Sequence, residues 1–441
     1  MKNYDIELRD VTIQGSVQRL INYVNDPEDR HTGFSPSIYM VPSVLRDLSP
    51  GSFSPKVVSI GPLHREDENV QAFEMQKASY MKSLMGRINT KEEEILKSCM
   101  QEAYDTLNDI KACYVLPKTY SDIEIAEMMV IDACFILEFS AQVYRKDYDK
   151  PHTKHVLVRQ NIRYDMLLLE NQIPFFFLDK IHQRTLLKLY PEVSLIELMR
   201  LVVLGSYNLF KKDISTNNIS INNTHHILSL LHQCYKPHDL NIPKFHYETR
   251  IHSAVDLDRA GVNFEPNKDT TWVMAMAVKS HTFPYIFGSL TKRTLTMPTL
   301  IVHDFTELVL RNLIAYEQSF QTCKHITSYC ATLDMLVNNQ EDVAKLVDSG
   351  VISNFLGSYE EAANMINNIC KNVFHVDVLY EEQCIALDEY CNSYLPKHIA
   401  KMRSTYFSSP WSIIALFAGI ILFALTVVQT IFSIKSTRSK D

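Results

Sequence analysis

The chain has 441 residues, 46% of them apolar and 22% charged, which excludes a disordered or fibrous protein and leaves two compact domains or one large one. It has only 11 glycines, none closer than seven positions apart, so the Gly-rich phosphate loops and the G-x-S-x-G elbow, which need closely spaced glycines, are excluded. The formal charge is −7, and the residues beyond Pro410 sum to +2, so residues 1–410 carry about −9; an acidic body without a basic run excludes nucleic acid as the expected partner.

The N-terminal residues MKNYDIELRD lack the apolar core of a signal peptide. Between Pro36 and Pro62 five prolines forbid a long helix and predict an extended, draped segment. Helix starts are predicted at Thr90-Lys91-Glu92-Glu93, Ser121-Asp122-Ile123-Glu124 and Ser358-Tyr359-Glu360-Glu361, where hydroxyl and carboxylate stand in capping-box positions. Met128–Phe139 is apolar nearly all round and too short for a bilayer, which predicts a central core helix. A similar block spans Met166–Leu178, with Pro174 ending one helix and opening another. Lys211–Asn223 is polar and Asn-rich, the natural linker, and Gly261 is placed as a helix C-cap.

Three runs rich in β-formers, Trp272–Val278, Thr282–Phe287 and Thr294–Met297, predict a small sheet. Helices are then expected over 305–320, over 340–349 with Gly350 as cap, over 359–371 and on to about Tyr394. The fold class is therefore α+β, mainly α with a small sheet in the second half. Its divisions are a helical region 1–212, a polar linker 213–243, a helical region with the sheet at 244–405, a transmembrane helix 411–434 and a tail 435–441.

The segment from Trp411 to Ile434 carries no charge, and as a helix it is about 36 Å long, enough to cross a hydrocarbon core of about 30 Å. Its Leu, Ile, Val and Phe residues favour insertion, and Trp411 stands where an interfacial aromatic belongs. The expected partner here is the lipid bilayer. An anchor this close to the end of the chain implies post-translational insertion with a cytosolic body. Two glycosylation sequons, at Asn218 and Asn222, keep a lumenal body open. Nine dispersed cysteines without a C-x-x-C motif read as reduced core thiols.

Few residues are marked for chemistry. Asp132 and Glu138 lie six apart on the core helix and point about 120° apart, a poor acid–base pair and better read as paired structural acids. Glu170-Asn171-Gln172, between two apolar runs, make either a polar ligand pocket or a hydrogen-bonded helix end with Asn171 as cap, and the second is favoured. Asn312 and Glu317 on the apolar stripe of 305–320 read as satisfied core groups. His225, His226, His232, His238, His246, His252 and Cys234 cluster in sequence without helical ligand spacing; Cys234 and His238 are four apart but separated by Pro237. HExxH is absent, and Ser79-Tyr80-Met81-Lys82 matches SxxK without its companion motifs. No catalytic residue, metal or cofactor is expected.

Several stretches together resemble a plant family, the domain of unknown function 247. They are Ile38-Tyr39-Met40-Val41-Pro42, Ser59-Ile60-Gly61-Pro62-Leu63-His64, Glu74 with Lys77, and Leu168-Leu169-Glu170-Asn171-Gln172-Ile173-Pro174. Ala260-Gly261-Val262-Asn263-Phe264, Asn312-Leu313-Ile314-Ala315-Tyr316-Glu317, Glu341-Asp342-Val343 ahead of Gly350, and Tyr406-Phe407-Ser408-Ser409-Pro410-Trp411 continue it. The family usually has an aromatic where Leu63 stands and a second His where Arg65 stands. The resemblance implies a helical body with one C-terminal membrane helix and no established enzymatic activity. It also singles out Pro42, Gly61, Pro62, His64, Glu74, Glu170, Asn171, Gln172, Pro174, Asn312 and Glu317 as motif positions without an assigned role. Grass members are implicated in pollen-side self-incompatibility, which implies recognition of a protein partner. The function expected is thus a membrane-anchored recognition or signalling protein acting by protein–protein interaction. The alternatives are a membrane-tethered enzyme around His64, Glu74 and Glu170, and a structural membrane scaffold.

Overall fold

The structure is a computed structural model describing residues 14–18, 21, 36–88, 90–115, 118, 120–147, 155–205, 208–211, 219–237, 252–268, 272–285, 288–319, 323–374, 379–393 and 410–438. The first half is built round the helix Asp122–Arg145. Ser121 accepts the Glu124 N–H while the Glu124 carboxylate accepts the Ser121 N–H, so the predicted capping box is formed, and Lys146 closes the helix in the left-handed region. The helices Glu74–Met85, Glu92–Asp105, Phe175–Arg184 and Leu195–Val203 pack against it. Phe135 meets the rings of Tyr80 and Phe73 edge-on, with centroids 5.1 and 5.6 Å apart. Each such side chain contributes roughly 1.5–3 kcal/mol by leaving water, so the apolar run 128–139 determines where the core lies.

The second half centres on the helix Thr306–Ser319, against which pack the helices Ile227–Tyr235, His325–Leu336 and Tyr359–Ile369. Strands β1 (Asn263–Pro266), β2 (Ala277–Tyr285) and β3 (Gly288–Met297) form a sheet in the order β1-β3-β2, with β1 parallel and β2 antiparallel to β3. Strands β4 (Leu300–Val302) and β5 (Ile352–Asn354) pair in parallel, and Phe210 bridges to Leu300 from the first half. Buried side chains from Ile38 to Cys391 join in one continuous core.

The expected α+β class, with its small sheet in the second half, is present. Gly261 (φ +96°) and Gly350 (φ +76°) follow helix ends in the left-handed region, as their placement predicts. Several details differ. The helix expected to be capped by Thr90 begins at Glu92 with Lys91 as its N-cap, so Thr90 lies one residue too early to bond its first turn. Pro174 opens the helix Phe175–Arg184 but ends none, because the preceding helix Val156–Asp165 stops nine residues earlier. Within 213–243, residues Ile227–Tyr235 form a buried helix, since Ile227, Leu228, Leu230 and Leu231 supply an apolar face to the core. Strand β1 and the helix His325–Leu336, whose Thr, Ser and His residues are poor helix formers, gave no sequence signal. All nine cysteines are free thiols and eight are buried.

The segment expected to cross a bilayer lies in the helix Pro410–Arg438. Among the described residues, no helix is long and apolar enough to cross a membrane. The helix is present, while the span expected of it finds no support among the described residues.

Candidate functional site

The proline-rich segment 36–64 drapes over both halves, and its chemistry starts from a deficit. Five prolines keep it out of any extended ladder, yet its remaining buried N–H groups must find acceptors. Side chains from the helical body supply them. Val41 N–H donates to Glu170 Oε1 at 2.7 Å. The N–H groups of Lys56, Val57 and Val58 donate to the Asp165 carboxylate at 2.9, 2.7 and 2.9 Å. Ile60 N–H donates to Asn171 Oδ1 at 2.6 Å and Gly61 N–H to Asp132 Oδ2 at 2.8 Å. Asn171 Nδ2 in turn donates to the carbonyls of Val58 and Asp165, each at 2.9 Å.

Three buried carboxylates in such a seam require compensation. Asp132 is paired with Lys77 at 2.6 Å, both side chains fully buried, and Arg65 approaches at 3.7 Å. Glu74 holds Lys77 at 2.7 Å and Arg65 at 2.5 Å from the exposed side. Glu170 receives Arg46 and His64, the latter at 2.8 Å. Burial pushes the Asp165 carboxyl up to about 6, against the lowering effect of its three backbone donors. Glu138, by contrast, sits apart with Ser83, Gln142 and Arg87, so the two buried acids of the core helix serve different cations, as expected of structural acids.

His64 bonds Glu170 through one ring nitrogen and Asp67 through the other at 2.7 Å, and carboxylates on both sides favour the imidazolium. Burial alone would lower its pKa, but the bonds to Glu170 and Asp67 outweigh burial and raise it above the usual 6.5. A raised folded-state pKa contributes stability that is fully present below the unfolded value and lost as pH rises through the folded one. The stability difference between wild type and His64→Gln, measured by denaturant unfolding, is therefore expected to be widest below pH 6.5 and to narrow as pH rises. A difference that does not change with pH would contradict this charge state.

The structure brings Gly61, His64, Glu74, Glu170 and Asn171 into this one seam. Pro42 and Pro174 stand as N-caps of the helices Ser43–Arg46 and Phe175–Arg184, and the Pro62 carbonyl accepts from Tyr120 at 3.1 Å. Asn171 thus clasps the draped segment and also bonds the last carbonyl of the helix Val156–Asp165, the hydrogen-bonded helix end expected of it. Gln172 bonds the Met166 and Leu168 carbonyls, both at 2.7 Å, and accepts from Leu228 N–H at 3.3 Å. Asn312 reaches from the second half, donating to Ser52 O at 2.6 Å and accepting from Leu169 N–H at 2.8 Å. Sequence reading missed Asp165 and Arg46, which no motif marks. Of the proposed anchor residues, Trp411 and Ile434 have side chains outside those described, as does Asn218; Asn222 is exposed.

Glu317 does not join the seam. It lies fully buried with His232 and His325, and the three could hold a metal ion, their nearest ligand atoms all within 4.8 Å of one another. Sequence spacing could not find this group, because its members come from three helices and the bond between His232 and Glu317 spans 85 residues. Of the described histidines in the run 225–252 only His232 belongs to it; His238 and His246 lie outside the described residues.

Comparison with known proteins matches residues 38–425 to a family described as plant protein of unknown function, DUF247. The chain is 27% identical over 429 residues to the UPF0481 protein At3g47200 of Arabidopsis thaliana, covering 90% of this chain and 86% of the relative. It is 23% identical over 495 residues to the putative UPF0481 protein At3g02645 of the same plant, covering 89% of each. No solved structure matches.

Proposed function

Because the chain belongs to the plant DUF247 family of proteins of unknown function, we propose on physical grounds that it is a membrane-anchored recognition protein acting by protein–protein interaction. The observation that carries this reading is the helix Pro410–Arg438. At 100° per residue, Phe417, Ile420, Leu422 and Phe423 point to four sides of the helix, and all are more than half exposed. Among the described residues this surface has no charged group to turn to water, and the hydroxyls of Thr426 and Thr430 are bonded to the helix's own carbonyls, so an apolar surface of this extent needs a covering phase. A bilayer supplies one along the whole length of 411–434. The free cysteines suit a reducing compartment and support a cytosolic body.

The acidic body, its seam engaged internally, is the part that meets a partner, in the manner implied for self-incompatibility-type recognition. The rival reading of an enzyme around His64, Glu74 and Glu170 has less support, because Glu170 is sealed from solvent and committed to Val41, Arg46 and His64. A passive scaffold is distinguished by its neighbours. Proximity labelling from the N-terminus of the full chain in plant tissue is expected to enrich specific proteins over a control that carries only the terminal helix. Recovery of bulk membrane proteins alone, equal to the control, would contradict the recognition reading.

A further inference from the structure

We propose that His232, Glu317 and His325 form a binding site for one divalent transition-metal ion of the zinc class. The argument starts from the protons. His325 Nε2 donates to the His232 carbonyl at 3.1 Å, so in the neutral ring Nδ1 carries the lone pair. That Nδ1 is fully buried, has no hydrogen-bond partner and faces Glu317 Oε1 at 3.7 Å. A bare nitrogen lone pair aimed at a carboxylate oxygen is an electrostatic mismatch that a cation between them removes. His232 Nε2 lies 2.8 Å from the same oxygen and 3.2 Å from the Cys323 carbonyl, and a proton on that nitrogen is the one a metal would displace.

The geometry fits. Tetrahedral bonds of about 2.0–2.1 Å place ligand atoms about 3.4 Å apart, and the separations of 2.8 and 3.7 Å from Glu317 Oε1 bracket that value. The supporting shell is that of a metal site. The second nitrogen of His325 is fixed by a backbone carbonyl, the common way of orienting a ligating imidazole. Glu317 Oε2 is held by the Thr327 N–H at 2.7 Å and hydroxyl at 2.6 Å, and Ile326 N–H donates to Oε1 at 3.0 Å. Two imidazoles and one carboxylate select a borderline ion over magnesium or calcium, which prefer oxygen alone. The Cys323 carbonyl or a water completes the coordination. Buried among the helices Ile227–Tyr235, Thr306–Ser319 and His325–Leu336, the ion would act as a staple between them.

The test uses the full chain purified in detergent without a metal-affinity step. Elemental analysis is expected to find about one zinc-class ion per chain. After chelation, Co²⁺ should restore visible d–d absorption, and Zn²⁺ but not Mg²⁺ should raise the Tm. His325→Ala should abolish the cobalt spectrum, while His303→Ala, at a histidine outside the site, should retain it. Should His325→Ala fail to fold, the wild-type titration decides alone. No copurified ion, no cobalt spectrum and no Zn²⁺-dependent rise in Tm would overturn the proposal, and so would an undiminished cobalt spectrum in a folded His325→Ala chain.

Discussion

Replacing Lys77 with Met is expected to destabilise the folded body by about 3–5 kcal/mol, the cost of removing one partner from a buried ion pair. Lys77 and Asp132 are both fully buried and 2.6 Å apart, so the substitution leaves a carboxylate in the core. Arg65, at 3.7 Å and partly exposed, compensates only in part. Asp132 has a second duty, accepting the Gly61 N–H at 2.8 Å. Adding Asp132→Asn to the Lys77→Met chain removes the stranded charge while keeping an oxygen for Gly61, and is expected to recover most of the loss. Denaturant midpoints of the two variants check this. A Lys77→Met loss below about 1 kcal/mol, the range of an exposed pair, would show that the pair is not sealed from water.

Gly61→Ala is the second large effect expected, at roughly 3 kcal/mol or more. Gly61 has φ +73°, where a Cβ costs about 1–2 kcal/mol. That Cβ would also stand 2.6 Å from the Gln172 carbonyl oxygen and 3.0 Å from the Tyr114 hydroxyl. Neither can withdraw easily, because Tyr114 donates to that same carbonyl at 2.9 Å and Gln172 is tied at three further points. Relief would require lifting the draped segment and breaking the Gly61–Asp132 bond. Thermal unfolding of Gly61→Ala beside Gly51→Ala, where a Cβ meets nothing within 4 Å, separates this from a general effect of losing a glycine. Equal Tm values for the two variants would contradict the close fit.

What the sequence made legible was local. The run 128–139, apolar nearly all round, located the core helix, Ser121 and Glu124 located its start, and Gly261 and Gly350 located helix ends, because each effect acts within one or two turns. The draped segment was predictable from its prolines, but not what holds it. Asp165 lies about 108 residues from the N–H groups it accepts, and Asn312 lies 260 from Ser52, separations that no periodicity encodes. Glu170, Asn171 and Gln172 were correctly seen as polar groups needing partners, and those partners proved to be the draped segment, the Ile227–Tyr235 helix and the end of the helix Val156–Asp165. Strand β1 pairs in parallel with β3 across some thirty residues, and its four-residue length leaves too short a pattern to read. His325 escaped notice for the same reason as Asp165: its partners are assembled by the fold.

Alkaline carbonate extraction of membranes containing the full-length chain tests the central claim most directly. Chain retained in the pellet, and released when Ile421 and Leu425 are both replaced by Arg at about 2.5–3.5 kcal/mol each, is the predicted result. Full-length chain found in the supernatant would contradict the membrane anchor and the recognition function built on it.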